Sequence, residues 1–167
     1  MGYWKLVRKE LKKNKDYKIK LVLLMFRTGG YFYEKNFIFT IIFFVTKFFY
    51  KLCVEYILTI ELPLNTKVGF GLKIEHGHGL VVNSSSILGE NVTLKHSVTI
   101  GCKTDLDNHC VKHAIIGNNV VVNPLSCIIG VTVKDNVIIG AGSIVVKNVA
   151  TNSIVAGNPA KLIKTIK

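Results

Sequence analysis

Residues 74–101 read IEHGHGLVVNSSSILGENVTLKHSVTIG, and within them Ile74, Val82, Leu88, Leu94 and Ile100 mark an apolar beat. From Val82 the beat falls every six residues. It extends back to Val68 and forward through Ile116, Val122, Ile128, Val133, Ile139 and Val145. Neither a helix nor a strand repeats with that period. A chain that turns one branched residue inward per repeat and bends just after it winds as a coil of short parallel strands. Small turn residues follow the beat at Val68-Gly69, Leu88-Gly89, Ile100-Gly101, Ile116-Gly117 and Ile139-Gly140. Three hexads per turn would stack each branched residue on its equivalents above and below, with Gly or Asn wherever φ is positive.

The breaks in the beat point to function. Between Ile74 and Val82 the step is eight residues, so Glu75-His76-Gly77-His78-Gly79 must bulge. Between Ile100 and Ile116 the beat vanishes, and the polar segment 102–113 is expected to loop out. The step from Ile128 to Val133 is one residue short. A solenoid accepts insertions only where the core stack survives, and extruded loops are where binding and catalysis concentrate.

A formal charge of +12 gives the surface an affinity for anions without choosing among nucleic acid, acidic lipid and phosphorylated small molecules. Nucleic acid is set aside, because the solenoid lacks the aromatic platforms and Arg-rich surface that single strands need. Cys53, Cys102, Cys110 and Cys127 form no C-x-x-C pair, and no cleavable signal stands near Met1, so a reducing cytoplasm is the default.

Met1 to Lys20 is strongly basic. The apolar run Ile19 to Phe26 is too short to span a bilayer and is expected to end at Arg27-Thr28-Gly29-Gly30. Phe37 to Ile60 is the one candidate for insertion, but Lys47, Lys51 and Glu55 recur at intervals of four and would form a polar stripe. Three placements stay open: packing on the solenoid or a neighbouring subunit, spanning, or lying in the membrane interface with the basic segment facing acidic headgroups. The expected organisation is an α-helical entry over 1–60 and a solenoid over 61–167.

The hexads, the bulge Glu75 to Val82, the runs Ser97-Val98-Thr99-Ile100-Gly101 and Ile139-Gly140-Ala141-Gly142-Ser143, and the ending Ala156-Gly157-Asn158-Pro159-Ala160-Lys161 resemble the hexapeptide-repeat acyltransferases. Within them the resemblance is to the branch holding serine O-acetyltransferases and the acetyltransferases of capsule, exopolysaccharide and lipopolysaccharide synthesis. The resemblance implies a left-handed parallel β-helix, a homotrimer, and acetyl-CoA as co-substrate.

Acetyl transfer to a hydroxyl needs a base, donors for the developing oxyanion and a groove for coenzyme A. Histidine is the side chain poised near neutrality. By resemblance, His76 is the catalytic base, His113 the second active-site histidine, supplied by an adjacent subunit, and Glu61 the carboxylate that orients His76. His78, Glu75 and Lys112 are the expected acceptor-binding residues. For coenzyme A the resemblance implies Gly101, which presents an N–H to the thioester oxygen, Ala141 and Gly142 beside the pantetheine arm, and Lys147, Lys161 and Lys164 for the phosphates. Cys102, His109, Cys110 and His113 lie close in sequence, but without a paired C-x-x-C knuckle no zinc is expected.

Serine acetyltransferases carry Asp before the first histidine and Arg before the second, where this chain has Glu75 and Lys112, and a longer helical entry. With the apolar entry and basic N-terminus, these departures favour a sugar acceptor, lipid-linked and at the inner face of the plasma membrane, in surface polysaccharide synthesis. The alternative is serine O-acetylation for cysteine biosynthesis.

Overall fold

A computed structural model describes residues 2–33, 37–107 and 109–166; the side chains of 32, 33 and 37–42 also lie outside it. Met1, residues 34–36, Asn108 and Lys167, which the expected helical entry, loop and solenoid include, are outside the described residues.

The beat resolves into three faces. On the first, Val82, Ile100, Ile128 and Val145 stack in register; on the second, Val68, Leu88, Ile116 and Val133; on the third, Ile74, Leu94, Val122, Ile139 and Val155. These strands pair in parallel, and all but Val68, which is half-buried, are buried. One turn of the coil therefore consumes three hexads. Each branched residue stabilises its neighbours above and below by about 1.5–3 kcal/mol of burial. The last strand, Lys161–Thr165, folds back antiparallel on Ser153–Ala156 and closes the C-terminal end of the third face.

Asparagine and glycine hold most of the left-handed corners, but contrary to the sequence expectation Thr59, His76, Ser97 and Leu125 also take positive φ. Asn91, Asn119, Asn136 and Asn152 adopt φ of 55–57° and pass a ladder of side-chain amide hydrogen bonds from coil to coil. The glycines that follow the beat serve a different purpose from the expected turn. At Gly69 a Cβ would lie 2.6 Å from the Gly89 carbonyl carbon, and at Gly89 it would lie 2.7 Å from that of Gly117. They form a column in which adjacent coils approach too closely for any side chain.

Three helices precede the coil: α1 (Tyr3–Lys13), α2 (Tyr17–Tyr33) and α3 (Phe37–Tyr50), the last continued as a π-helical turn over Lys51–Ile57. Contrary to the sequence expectation, α2 does not stop at Arg27 but runs through it to Tyr33. The reason is that Arg27 is not a boundary charge. It is buried, donating to both oxygens of Glu10 at 2.8 and 2.7 Å and to the carbonyls of Val68 and Gly69.

Glu10 and Asn14 complete this contact. The first strand of the third face is an edge, and its backbone would lack partners. Glu10 Oε1 accepts from Leu72 N at 2.8 Å, Asn14 Oδ1 accepts from Ile74 N at 2.9 Å, and Asn14 Nδ2 donates to the Leu72 carbonyl at 3.0 Å. The helices thus act as a missing strand, and Ile19, Val22, Leu23, Phe26, Tyr50 and Val54 join the solenoid core beneath them. Tyr50 is almost wholly buried and donates to the Leu62 carbonyl at 2.7 Å, with burial pushing its phenol pKa upward. No helix among the described residues is long and apolar enough to cross a membrane.

Candidate functional site

The two extra residues after Ile74 are absorbed at the corner between the third and first faces. His76 takes φ 60°, the His78 N–H turns back onto the His76 carbonyl, and Gly79 takes φ 67°. The tight reversal throws the His76 and His78 side chains outward, both exposed. Gly77 between them faces inward, where a Cβ would meet Ile60 and Ile74 at 2.8 Å. Glycine at that position is what lets the bulge sit flat on the core.

One coil on, His96 lies against the pair. Its ring stacks on His78 at 5.0 Å and 17°, and lies 6.3 Å from His76 at 70°. His96 Nδ1 is buried without a hydrogen-bond partner. Glu75 pairs with Lys73 at 2.5 Å and Lys95 at 3.4 Å. The Lys73 hydrogen bond, helped by Lys95, holds its carboxyl below the usual glutamate range.

A cleft of about 240 Å³ opens beside the bulge, lined by His76 and His78 from the solenoid, Leu58 and Ile60 from its entry, and Asp16 and Lys18 from the helical layer. Asp16 stands at the start of α2: its carbonyl accepts from Lys20 N at 3.0 Å and its Oδ1 from Lys18 N at 2.9 Å. The cleft therefore sets two imidazoles among one carboxylate, one ammonium and an apolar wall. Neither Asp16 nor Lys18 was among the residues singled out from sequence. Asp16 could have been found there as the lone acid before an apolar helical run, the signature of a helix start. Nothing in sequence placed it across from His76.

The other expected residues lie elsewhere on the described chain. Glu61 is exposed and pairs in register with Val81 on the first face; among the described residues its side chain forms no hydrogen bond or ion pair, with His76 or otherwise. Lys103–Thr104 pairs antiparallel with Cys110–Lys112, and the core resumes at Ala114. Lys112 and His113 are exposed at its return and do not line the His76 cleft. His113 Nδ1 lies 3.2 Å from Cys110 Sγ, and a hydrogen bond to Cys102 holds the Cys110 thiol above its ordinary value. Gly101 ends the strand that enters the hairpin, and its carbonyl accepts from Gly130 N at 3.0 Å. Ala141 and Gly142 sit on an open corner, but the Gly142 N–H is already donated to the Pro124 carbonyl at 2.9 Å. Lys147, Lys161 and Lys164 are exposed and without ion pairs among the described residues. No group of three or more His, Cys, Asp or Glu among the described residues is arranged to hold a metal ion.

Solved structures share this architecture. The chain superposes on the serine acetyltransferase of Neisseria gonorrhoeae with a TM-score of 0.81 at 23% identity, covering 99% of this chain and 67% of that one. On the Brucella abortus serine acetyltransferase in complex with coenzyme A the TM-score is 0.72 at 26% identity, over 87% of this chain and 55% of that one. The fold is the left-handed parallel β-helix preceded by helices.

No protein-family model matches the chain. In sequence it is 36% identical over 110 residues to a serine acetyltransferase of Helicobacter pylori, covering 65% of this chain and 63% of the relative. It is 31% identical over 109 residues to serine acetyltransferase 2 of Arabidopsis thaliana, covering 33% of that protein. The matched region thus spans less than two thirds of each of these relatives. These matches overturn the sugar-acceptor expectation, because the similar proteins are named serine acetyltransferases and not polysaccharide acetyltransferases. The features that had argued for a sugar do not require one. Glu75 and Lys112 keep the charges of the residues they replace, and the apolar entry is accounted for in part by its packing on the first coil.

Proposed function

We propose that the chain is an acetyl-CoA-dependent O-acetyltransferase whose acceptor is the hydroxyl of L-serine. The observation that carries this reading is the cleft in which Asp16 and Lys18 face His76, taken with the serine acetyltransferase relatives. A free amino acid presents an ammonium, a carboxylate and a hydroxyl within a few ångströms of one another. Asp16 offers the ammonium an acceptor, Lys18 offers the carboxylate a donor, and His76 stands where a hydroxyl proton can be taken.

Acetyl-CoA supplies the activated acyl group, and the residues of this chain position it and move the proton. His76 accepts the serine hydroxyl proton as the oxygen attacks the thioester carbonyl, then returns it to the departing thiolate. Transfer is direct: among the described residues no Ser or Cys lines the cleft to carry an acyl intermediate. Glu61 is assigned to orienting His76, which requires its side chain to turn from its solvent-facing position. Glu75 and His78 complete the acceptor side. His113 and Lys112 are assigned to the same site through a homotrimer, their hairpin reaching a neighbouring protomer. The Gly101 N–H is placed on the thioester oxygen, Ala141 and Gly142 on the pantetheine arm, and the unpaired Lys147, Lys161 and Lys164 on the phosphates.

The test is release of free coenzyme A from acetyl-CoA by the purified protein with and without L-serine. Serine-dependent release is expected, and the absence of any serine-dependent rate would remove the acceptor assignment.

A further inference from the structure

The helical layer does more than complete the first coil, because its outer surface has a chemistry the cleft does not use. Every acidic side chain of α1 is accounted for by Glu10, which is buried against Arg27. Its outer side therefore carries no acid: the charges there are Lys5, Arg8, Lys9 and Lys12, all exposed and none with an ion-pair partner among the described residues. Between them and α2 runs a groove of about 940 Å³, where Trp4 is 48% exposed and Leu24 42%. Leu21, one turn earlier on α2, is 53% exposed. A second groove along α3, of about 310 Å³, repeats the composition: Phe44, Phe48, Leu52 and Tyr56 with Lys47 and Lys51, and again no carboxylate.

We infer that the α1–α2 groove is a docking surface for an anionic lipid bilayer, on which the protein lies without inserting a helix. Clustered cations interleaved with an indole and leucines match the headgroup–acyl boundary, where charge and apolar surface are both satisfied. A phosphodiester backbone would neutralise the cations but leave Leu21 and Leu24 in water. A second copy of this chain would set the same four cations against their like. The described helices are too short or too polar to span, which makes surface association the available mode.

Trp4 is the only tryptophan in the chain, so its emission reports on this surface alone. The full-length protein is mixed with vesicles of phosphatidylcholine, with or without phosphatidylglycerol, and followed by co-sedimentation and Trp4 fluorescence. The expected result is sedimentation with the phosphatidylglycerol vesicles alone, a blue shift of Trp4, and release as salt is raised. Each cation near an anionic surface is worth about fivefold in affinity, so K5E/R8E/K9E/K12E should lose at least several hundredfold, roughly. Its thermal midpoint should stay at that of the wild type, since all four side chains are exposed. The proposal is overturned if phosphatidylglycerol vesicles bring down no protein, if the reversal variant binds as well as the wild type, or if binding leaves Trp4 emission unmoved. Retention by single-stranded nucleic acid in place of vesicles would overturn it too. None of these readouts depends on which acceptor the enzyme uses.

Discussion

The imidazoles of His78 and His96 stack across neighbouring coils, with centroids 5.0 Å apart and planes 17° from parallel. The stack places a third histidine behind the bulge that presents His76. His96 is half-buried, its Nδ1 is unpartnered, and its ring contact adds to the backbone tie that Ser97 N makes to the His78 carbonyl at 2.9 Å.

Removing either ring should therefore matter mainly when the other is present. Aromatic pairs of this geometry are worth about 0.5–1.5 kcal/mol beyond burial. A double-mutant cycle of H78A and H96A in urea unfolding should show a coupling of about 1 kcal/mol. Strictly additive losses would mean the rings stack without holding anything.

The Glu10–Arg27 pair should be the most sensitive polar contact in the helical layer. Both side chains are buried and hydrogen-bonded to the first coil, so cutting one leaves an uncompensated charge. E10A or R27A should cost about 3–5 kcal/mol, read by urea unfolding. E10L/R27M, which removes both charges together, should cost distinctly less than either single change.

The glycine column sets a steric limit on the coil. G89A would place a methyl carbon 2.6 Å from the Asn118 side-chain oxygen and 2.7 Å from the Gly117 carbonyl, and the backbone contact cannot yield even if the side chain does. Destabilisation of about 1–3 kcal/mol is expected. A thermal midpoint equal to the wild type would show that the coils can separate at no cost.

Glu75 gives a pH dependence of defined sign. Its folded pKa lies below the ordinary value of 4.5, chiefly through the Lys73 hydrogen bond and then through Lys95. A depressed carboxylate contributes stability that is present above its unfolded pKa and lost as pH falls through the folded one. The gap between wild type and E75Q, less than about 1 kcal/mol for so exposed a pair, should hold at neutral pH and close as the solution is acidified below 4.5. A gap that widened in acid would reverse the assignment.

The coil was legible in sequence because its core positions are periodic and local: Leu88, Leu94 and Ile100 each follow the last by six residues and fall on successive faces, and the extra residues between Ile100 and Ile116 leave the coil without disturbing the stack. The bulge at His76 was legible for the same reason, as a break in a regular count. The docking of the helices was not. Glu10, Asn14 and Arg27 find partners up to 62 residues away, at a strand edge that exists only once the coil has formed. Arg27 beside two glycines therefore reads as a helix end when it is a buried tether. Asp16 and Lys18 were hidden in the same way, as two members of a basic run until the fold carried them to His76. The acceptor was misread in part because apolar residues such as Tyr50 and Val54 were weighed for membrane contact, when their burial is against the first coil.

The measurement that bears most directly on the proposed chemistry is serine-dependent release of coenzyme A by the wild type and by H76A, compared at the same protein concentration. Loss of a general base predicts wild-type turnover with L-serine and a fall of about 10²–10⁴-fold in the variant, with its thermal midpoint preserved. A wild type indifferent to serine, or an H76A enzyme within a few-fold of it, would contradict the proposal.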